Sequence, residues 1–370
     1  MRKVYLHRIL YFCGILASFV IIAMLAPGCG NGGDISPATK DGVVFNDTTL
    51  EQAVREAVNQ PEGSITPGTL ENLTKMVLDR WLIRDITGLE YCTNLVYLDL
   101  NANDITDISP LAGLNRLQEL DLSNNNISDI SPLSSLIELK TLNLSHNLVT
   151  DLSPLANCTD ITSLDLSNNQ ITGVSALSNL ANLQILDITE NNITSLSGLE
   201  NMTDLTRIYA GENDFADLTP LANLTSLQYL DLHGIDPAPK DITAVMGTEI
   251  KDLSPLSGLK NLVWLNLDAH WIENVSPLAS LTELQELSLT LNRIQDIAPL
   301  TSLKKLKLLS LDGNRISDLE AWSHYVPAEG QNLLLTLIFN PLSDVSISTY
   351  MPMMEKAGIS VTWIELPAID

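Results

Sequence analysis

From residue 73 onward, apolar and polar positions recur with a period of 22. The stretch from Leu117 to Glu138, LQELDLSNNNISDISPLSSLIE, returns with starts at Leu73, Leu95, Leu117, Leu139, Ile161, Leu183, Leu205 and Leu227, and again at Leu262, Leu284 and Leu306. A last divergent unit holds Leu335, Leu337 and Asn340. Inside each unit a triplet such as Leu120-Asp121-Leu122 alternates apolar and polar, which predicts a short strand with leucines inward and Asp outward. The Ser-Pro pairs that follow (Ser109-Pro110, Ser131-Pro132, Ser153-Pro154) predict short helices. In these, Ser is expected to cap and Pro to take the first helical position, where its missing N–H costs nothing. One strand, one turn and one short helix cannot bury their own leucines, so the units must stack on one another. The predicted class is an α/β repeat solenoid, with a parallel sheet on its concave side and short 3-10 or α helices on its convex side.

The skeleton L-x-x-L-x-L-x-x-N-x-I-x-D-I-S-P-L resembles the leucine-rich repeat, in the 22-residue form of bacterial internalin-type proteins. The resemblance runs from about Phe45 to Trp363 and implies an arc closed by a cap at each end. About twelve repeats are expected over 73–342. The helical N-terminal cap is expected over 45–72, where Asp47 stands as N-cap before Leu50, Ala53, Val54, Ala57 and Val58 at helical spacing, and Thr66-Pro67 opens a second helix. A helix-strand C-terminal cap is expected over 343–370, with a helix from about Val345 to Ala357 and a strand through Ile359, Val361 and Trp363.

The ninth position of the repeat carries Asn103, Asn125, Asn147, Asn169, Asn191, Asn213, Asn292, Asn314 and Asn340. A buried carboxamide both donates and accepts, so it can satisfy the peptide groups that leave the sheet at each turn. The expectation is an asparagine ladder, with His270 as a substitute rung and Trp81 in the slot of the first unit. Trp322 falls where a core leucine is expected. Cys92 and Cys158 also fall at core positions, three repeats apart, too far for a disulfide.

Residues 1–28 open with Arg2, Lys3 and Arg8 and continue through an apolar run to Leu25-Ala26-Pro27-Gly28-Cys29, the pattern of a secretory signal. The approach to Cys29 resembles a bacterial lipobox, which implies lipidation at Cys29 and an extracytoplasmic protein anchored at the outer membrane or cell surface. An ordinarily cleaved secreted protein and an uncleaved anchor helix are the alternatives. Residues 29–44 are Gly-, Ser- and Pro-rich and read as a flexible tether.

The formal charge is −25, and residues 1–28 contain no acidic residue, so the remainder is more acidic still. Such a surface disfavours nucleic acid and anionic lipid headgroups and suits a basic partner. Any contact with a membrane is then expected only through the lipid. No G-x-S-x-G, H-E-x-x-H, P-loop, C-x-x-C or EF-hand pattern occurs, and the histidines lack ligand spacing, so neither catalysis nor a metal or cofactor is expected.

Binding must then use what the repeats leave outside. One outward column reads Asp99, Asp121, Asn143, Asp165, Asp187, Tyr209, Asp231, Asn266; water and the ladder can tolerate its mutual repulsion, and relief by a cation or by a Lys- or Arg-rich partner is the alternative. A second reads Tyr97, Glu119, Thr141, Ser163, Ile185, Arg207, Tyr229, Trp264, Glu286. Aromatic residues and Arg dominate interface energetics. The candidate site is therefore Ile185, Arg207, Tyr209, Tyr229, His233 and Trp264, beside an insertion at 234–249. Twelve strands give a face of about 750 Å², close to one partner's share of a standard interface. The expectation is a monomeric, noncatalytic protein-binding module of the cell envelope. A self-associating envelope scaffold and polysaccharide recognition are the alternatives.

Overall fold

The computed structural model describes residues 42–234 and 250–364. The chain divides into Met1–Pro37 and Ala38–Asp370, and every described residue lies in the second unit. The expected signal, Cys29, most of the tether, the insertion from 235 and the last residues from 365 lie outside the described residues.

Helix α1 (Thr48–Ala57) begins where Asp47 Oδ1 accepts the N–H groups of Thr49 and Leu50 at 2.8 and 3.1 Å. Its buried face is Leu50, Ala53 and Val54. The other oxygen of Asp47 accepts the N–H of Arg84 at 2.9 Å, so one carboxylate both caps the helix and ties it to the first repeat. Burial pushes the Asp47 pKa up, but the N–H groups of Arg84, Leu50 and Thr49 outweigh it and hold the group below the usual carboxylate value. Helix α2 (Pro67–Leu70) starts at Thr66, whose hydroxyl accepts the N–H of Thr69 at 3.3 Å. Packing begins at Val43, which is buried and donates its N–H to the Ile65 carbonyl at 2.8 Å.

One parallel sheet of 13 strands follows, in sequence order throughout. The strands are β1 (Lys75–Val77), β2 (Tyr97–Asp99), β3 (Glu119–Asp121), β4 (Thr141–Asn143), β5 (Ser163–Asp165), β6 (Ile185–Asp187), β7 (Arg207–Tyr209), β8 (Tyr229–Asp231), β9 (Trp264–Asn266), β10 (Glu286–Ser288), β11 (Leu308–Ser310), β12 (Leu333–Thr336) and β13 (Ile359–Thr362). Register keeps each core leucine against its equivalent, as in Leu98↔Leu120↔Leu142↔Leu164. Because the leucines of each unit pack on the units before and after, a single apolar core runs from Val43 to Ile359. The sequence-predicted repeat solenoid is the observed fold.

The ladder is regular. Asn169 Nδ2 donates to the carbonyls of Leu166 (3.0 Å) and of Leu144 one repeat earlier (2.9 Å), while its Oδ1 accepts the N–H of Val149 at 2.9 Å. The same three-way pattern recurs at Asn103, Asn125, Asn147, Asn191, Asn213, Asn292, Asn314 and Asn340. His270 is buried in the equivalent slot with Nε2 2.5 Å from the Leu232 carbonyl. The residue just before each rung turns into the left-handed region, as at Ala102 (φ 54°), Glu190 (φ 55°) and Leu291 (φ 56°).

The short helices are 3-10 turns such as Ser109–Leu111, but Ser does not cap them. The preceding Asp does: Asp107, Asp129, Asp151, Asp217 and Asp252 each accept the N–H two residues on at 2.8 Å. Asp296 and Asp318 do the same for Ala298 and Glu320, where no Ser is present. A carboxylate reaches the i+2 N–H in an Asx turn more strongly than a hydroxyl reaches its own helix. At the far end a π turn (Ser346–Tyr350) runs into α3 (Met351–Lys356), which packs beside β13. Trp322 is fully buried, donates Nε1–H to the Ile297 carbonyl at 2.9 Å and stacks on Tyr325 at 4.7 Å. Cys92 and Cys158 are buried free thiols.

Candidate functional site

Strand alternation gives the sheet an exposed face made of two columns. In the first, register places Ser163↔Ile185↔Arg207↔Tyr229↔Trp264↔Glu286 side by side on β5 to β10. Ile185, Arg207, Tyr229 and Trp264 are all half-buried, and the Arg207 guanidinium lies 5.0 Å from the centre of the Tyr229 ring. Tyr209 sits in the second column, paired with Asp187 on one side and Asp231 on the other. His233 follows β8 by two residues, with Nδ1 2.7 Å from Asp231 Oδ1 and Nε2 3.5 Å from Glu212 Oε1. The six candidate residues thus occupy four adjacent strands and one turn.

The second column departs from the expected outward carboxylates. Asp165, Asp187 and Asp231 are only 7%, 6% and 1% exposed. Each turns one oxygen back to its own chain: Asp165 Oδ1 accepts the N–H and hydroxyl of Ser167 at 2.9 and 2.7 Å, and Asp187 Oδ1 accepts the Thr189 N–H at 3.0 Å. Side chains stacked at strand spacing shield one another, and the turn supplies the donors that water would otherwise provide. Burial, with the charge of Asp187 added, pushes Asp165 up to about 7. Burial likewise pushes Asp99 and Asp268 up to about 6.

At its two ends the exposed face changes character. Lys75 Nζ lies 4.1 Å from the Tyr97 ring at the first strands, and at the last strands Leu308 pairs with the exposed Leu334. Gly211 adjoins the candidate residue His233, a neighbourhood that pattern alone does not reveal. It stands where neighbouring repeats have Ser145, Ser167 and Thr189, and a Cβ there would collide with the His233 ring. The signal was present as a glycine breaking a hydroxyl column. Among the described residues no cluster of His, Cys, Asp and Glu has metal-binding geometry, and no helix is long and apolar enough to cross a membrane.

Family models for leucine-rich repeats match residues 115–157, 159–201 and 282–324, with a single-repeat model at 91–108. Among solved structures, an internalin (inlF) of Listeria monocytogenes is 32% identical with a TM-score of 0.70, covering 87% of this chain and 96% of that one. Internalin C2 of the same organism is 30% identical with a TM-score of 0.54, covering 69% of this chain and 100% of that one. A leucine-rich-repeat protein of Leptospira interrogans shares the fold at 22% identity and a TM-score of 0.68, over 79% of this chain and 73% of that one. Among curated proteins no relative matches. By its repeats, its register and its likeness to inlF over nearly the whole of that chain, this protein belongs to the internalin family of leucine-rich-repeat proteins.

Proposed function

We propose that this protein is a noncatalytic recognition module of the bacterial cell envelope, which captures a protein partner on the exposed face of its sheet. The observation that carries this reading is the adjacency of Ile185, Arg207, Tyr229 and Trp264 on consecutive strands, flanked by Tyr209 and His233. Between Tyr97 and this stripe the same column holds only the small or acidic side chains of Glu119, Thr141 and Ser163. Rigid aromatic rings and a stacked guanidinium contribute binding energy at low cost in side-chain entropy. The acidic surface around them favours a partner with basic groups. In this reading the protein is extracytoplasmic and held at the outer membrane or cell surface by a lipid on Cys29.

The test is affinity capture from envelope extracts with wild-type protein and with Tyr229→Ala/Trp264→Ala. A partner retained by the wild type and lost from the variant, at an unchanged melting temperature, supports the site. Equal retention by both moves recognition elsewhere. Growth with labelled palmitate, followed by detection in wild type and its loss in Cys29→Ala, tests the anchor.

A further inference from the structure

The turn after β8 carries an arrangement that no neighbouring repeat shares. In three earlier repeats this turn position is a hydroxyl that donates to the Asp or Asn two residues earlier: Ser123 to Asp121, Ser145 to Asn143 and Ser167 to Asp165. At β8 the hydroxyl is replaced by His233, and Nδ1 now lies against Asp231 Oδ1 at 2.7 Å. The ring is far larger than a hydroxyl and cannot stand in the column unless its neighbour yields. Gly211, one repeat earlier, yields: any Cβ there would overlap the imidazole. The ring therefore lies over the Gly211 backbone and reaches Glu212, whose Oε1 is 3.5 Å from Nε2.

Among the described residues, the titratable groups around the imidazole are Asp231 from its own strand, Glu212 from the turn after β7 and Asp268 from the turn after β9. All three are acids. Asp231 is 1% exposed, and a carboxylate so buried needs a compensating donor or charge. With both ring nitrogens protonated the imidazolium donates to Asp231 and attracts Glu212, joining two repeats. With one proton gone it keeps at most one of these contacts, and its charge is lost. Histidine makes this change near neutral pH.

We propose that His233, seated on Gly211 between Asp231 and Glu212, is a proton-operated clamp that holds the turns of β7 and β8 together beside the recognition stripe and loosens when the ring loses its proton. The proposal takes from the recognition reading only the meaning of its location. Its chemistry stands without any partner.

Hydrogen exchange of the purified full chain tests it, by comparing peptides from 205–234 with control peptides from 117–147 at about pH 6 and about pH 8.5, corrected for intrinsic exchange. In wild type, protection of the 205–234 peptides should fall about tenfold more than that of the controls on going to the higher pH. Gly211→Ser restores the residue that neighbouring repeats tolerate and displaces the imidazole, so it should lower protection at the acid pH and remove the difference. His233→Gln should do the same. A wild-type difference no larger than that of the controls, or one that survives in Gly211→Ser, overturns the clamp. Neither result bears on partner capture, so the two readings can fail separately.

Discussion

Asp165 and Asp187 stand opposite each other in the register of β5 and β6, both almost sealed from water and each with one oxygen committed to its own turn. Two carboxylates so placed resist ionising together. A group whose folded pKa is raised contributes stability below its unfolded pKa and loses it as pH rises through the folded value. With Asp165 raised to about 7 and Asp99 and Asp268 to about 6, stability is expected to decline from about pH 4, where the unfolded carboxyls ionise, to about pH 7. Urea titrations across that range should show the decline, and Asp165→Asn, which removes the group shifted furthest, should flatten the largest single share of it.

The acid side has the opposite sign. Asp47 is held below the usual carboxylate value, so its contribution is present above about pH 4 and is lost as pH falls further. Its oxygens serve Thr49, Leu50 and Arg84. Removing them in Asp47→Ala should cost about 1–2 kcal/mol, measured by denaturant unfolding at neutral pH, with faster exchange of the α1 amides.

Each ladder carboxamide satisfies carbonyls from two repeats and an N–H besides. Asn169→Ala leaves these groups buried and unpaired, at about 1–3 kcal/mol. Asn169→Asp should be comparably harmful, since a carboxylate cannot donate to the carbonyls of Leu144 and Leu166. Thermal unfolding of the two variants against wild type checks both statements.

The left-handed residue before each rung carries a cost. At Ala102, φ is 54° and there is no long side chain to lose. Ala102→Gly should therefore raise stability by up to about 1 kcal/mol, less what glycine gains in the unfolded chain. A lower melting temperature would show that the strain is already relieved by its surroundings.

The period of 22 made strands, register and ladder legible because each is a nearest-neighbour property repeated many times, so chance deviations average out. Capping was not legible in the same way. Asp107 and Ser109 lie two residues apart, either could cap, and only geometry separates them. The clue lay in the exceptions: Ala298 and Glu320 dispense with the hydroxyl, while Asp296 and Asp318 remain. Burial of Asp165 and Asp187 was hidden for another reason. Alternation tells which side of a strand a residue leaves from, but not how closely its cross-strand neighbours crowd it. The pairing of Gly211 with His233 spans 22 positions and occurs once, so no periodicity could announce it.

The unbroken sequence-order register of the sheet has a consequence for how such a protein can change. Every unit presents the same joints fore and aft, so excising or duplicating one block of 22 residues between β2 and β5 would rejoin like to like. The outcome would be a longer or shorter ruler, with Tyr97 and Trp264 moved apart or together by one strand spacing, about 4.8 Å, and neither altered. Gene duplication and slippage can therefore tune the reach of this surface without redesigning its grip.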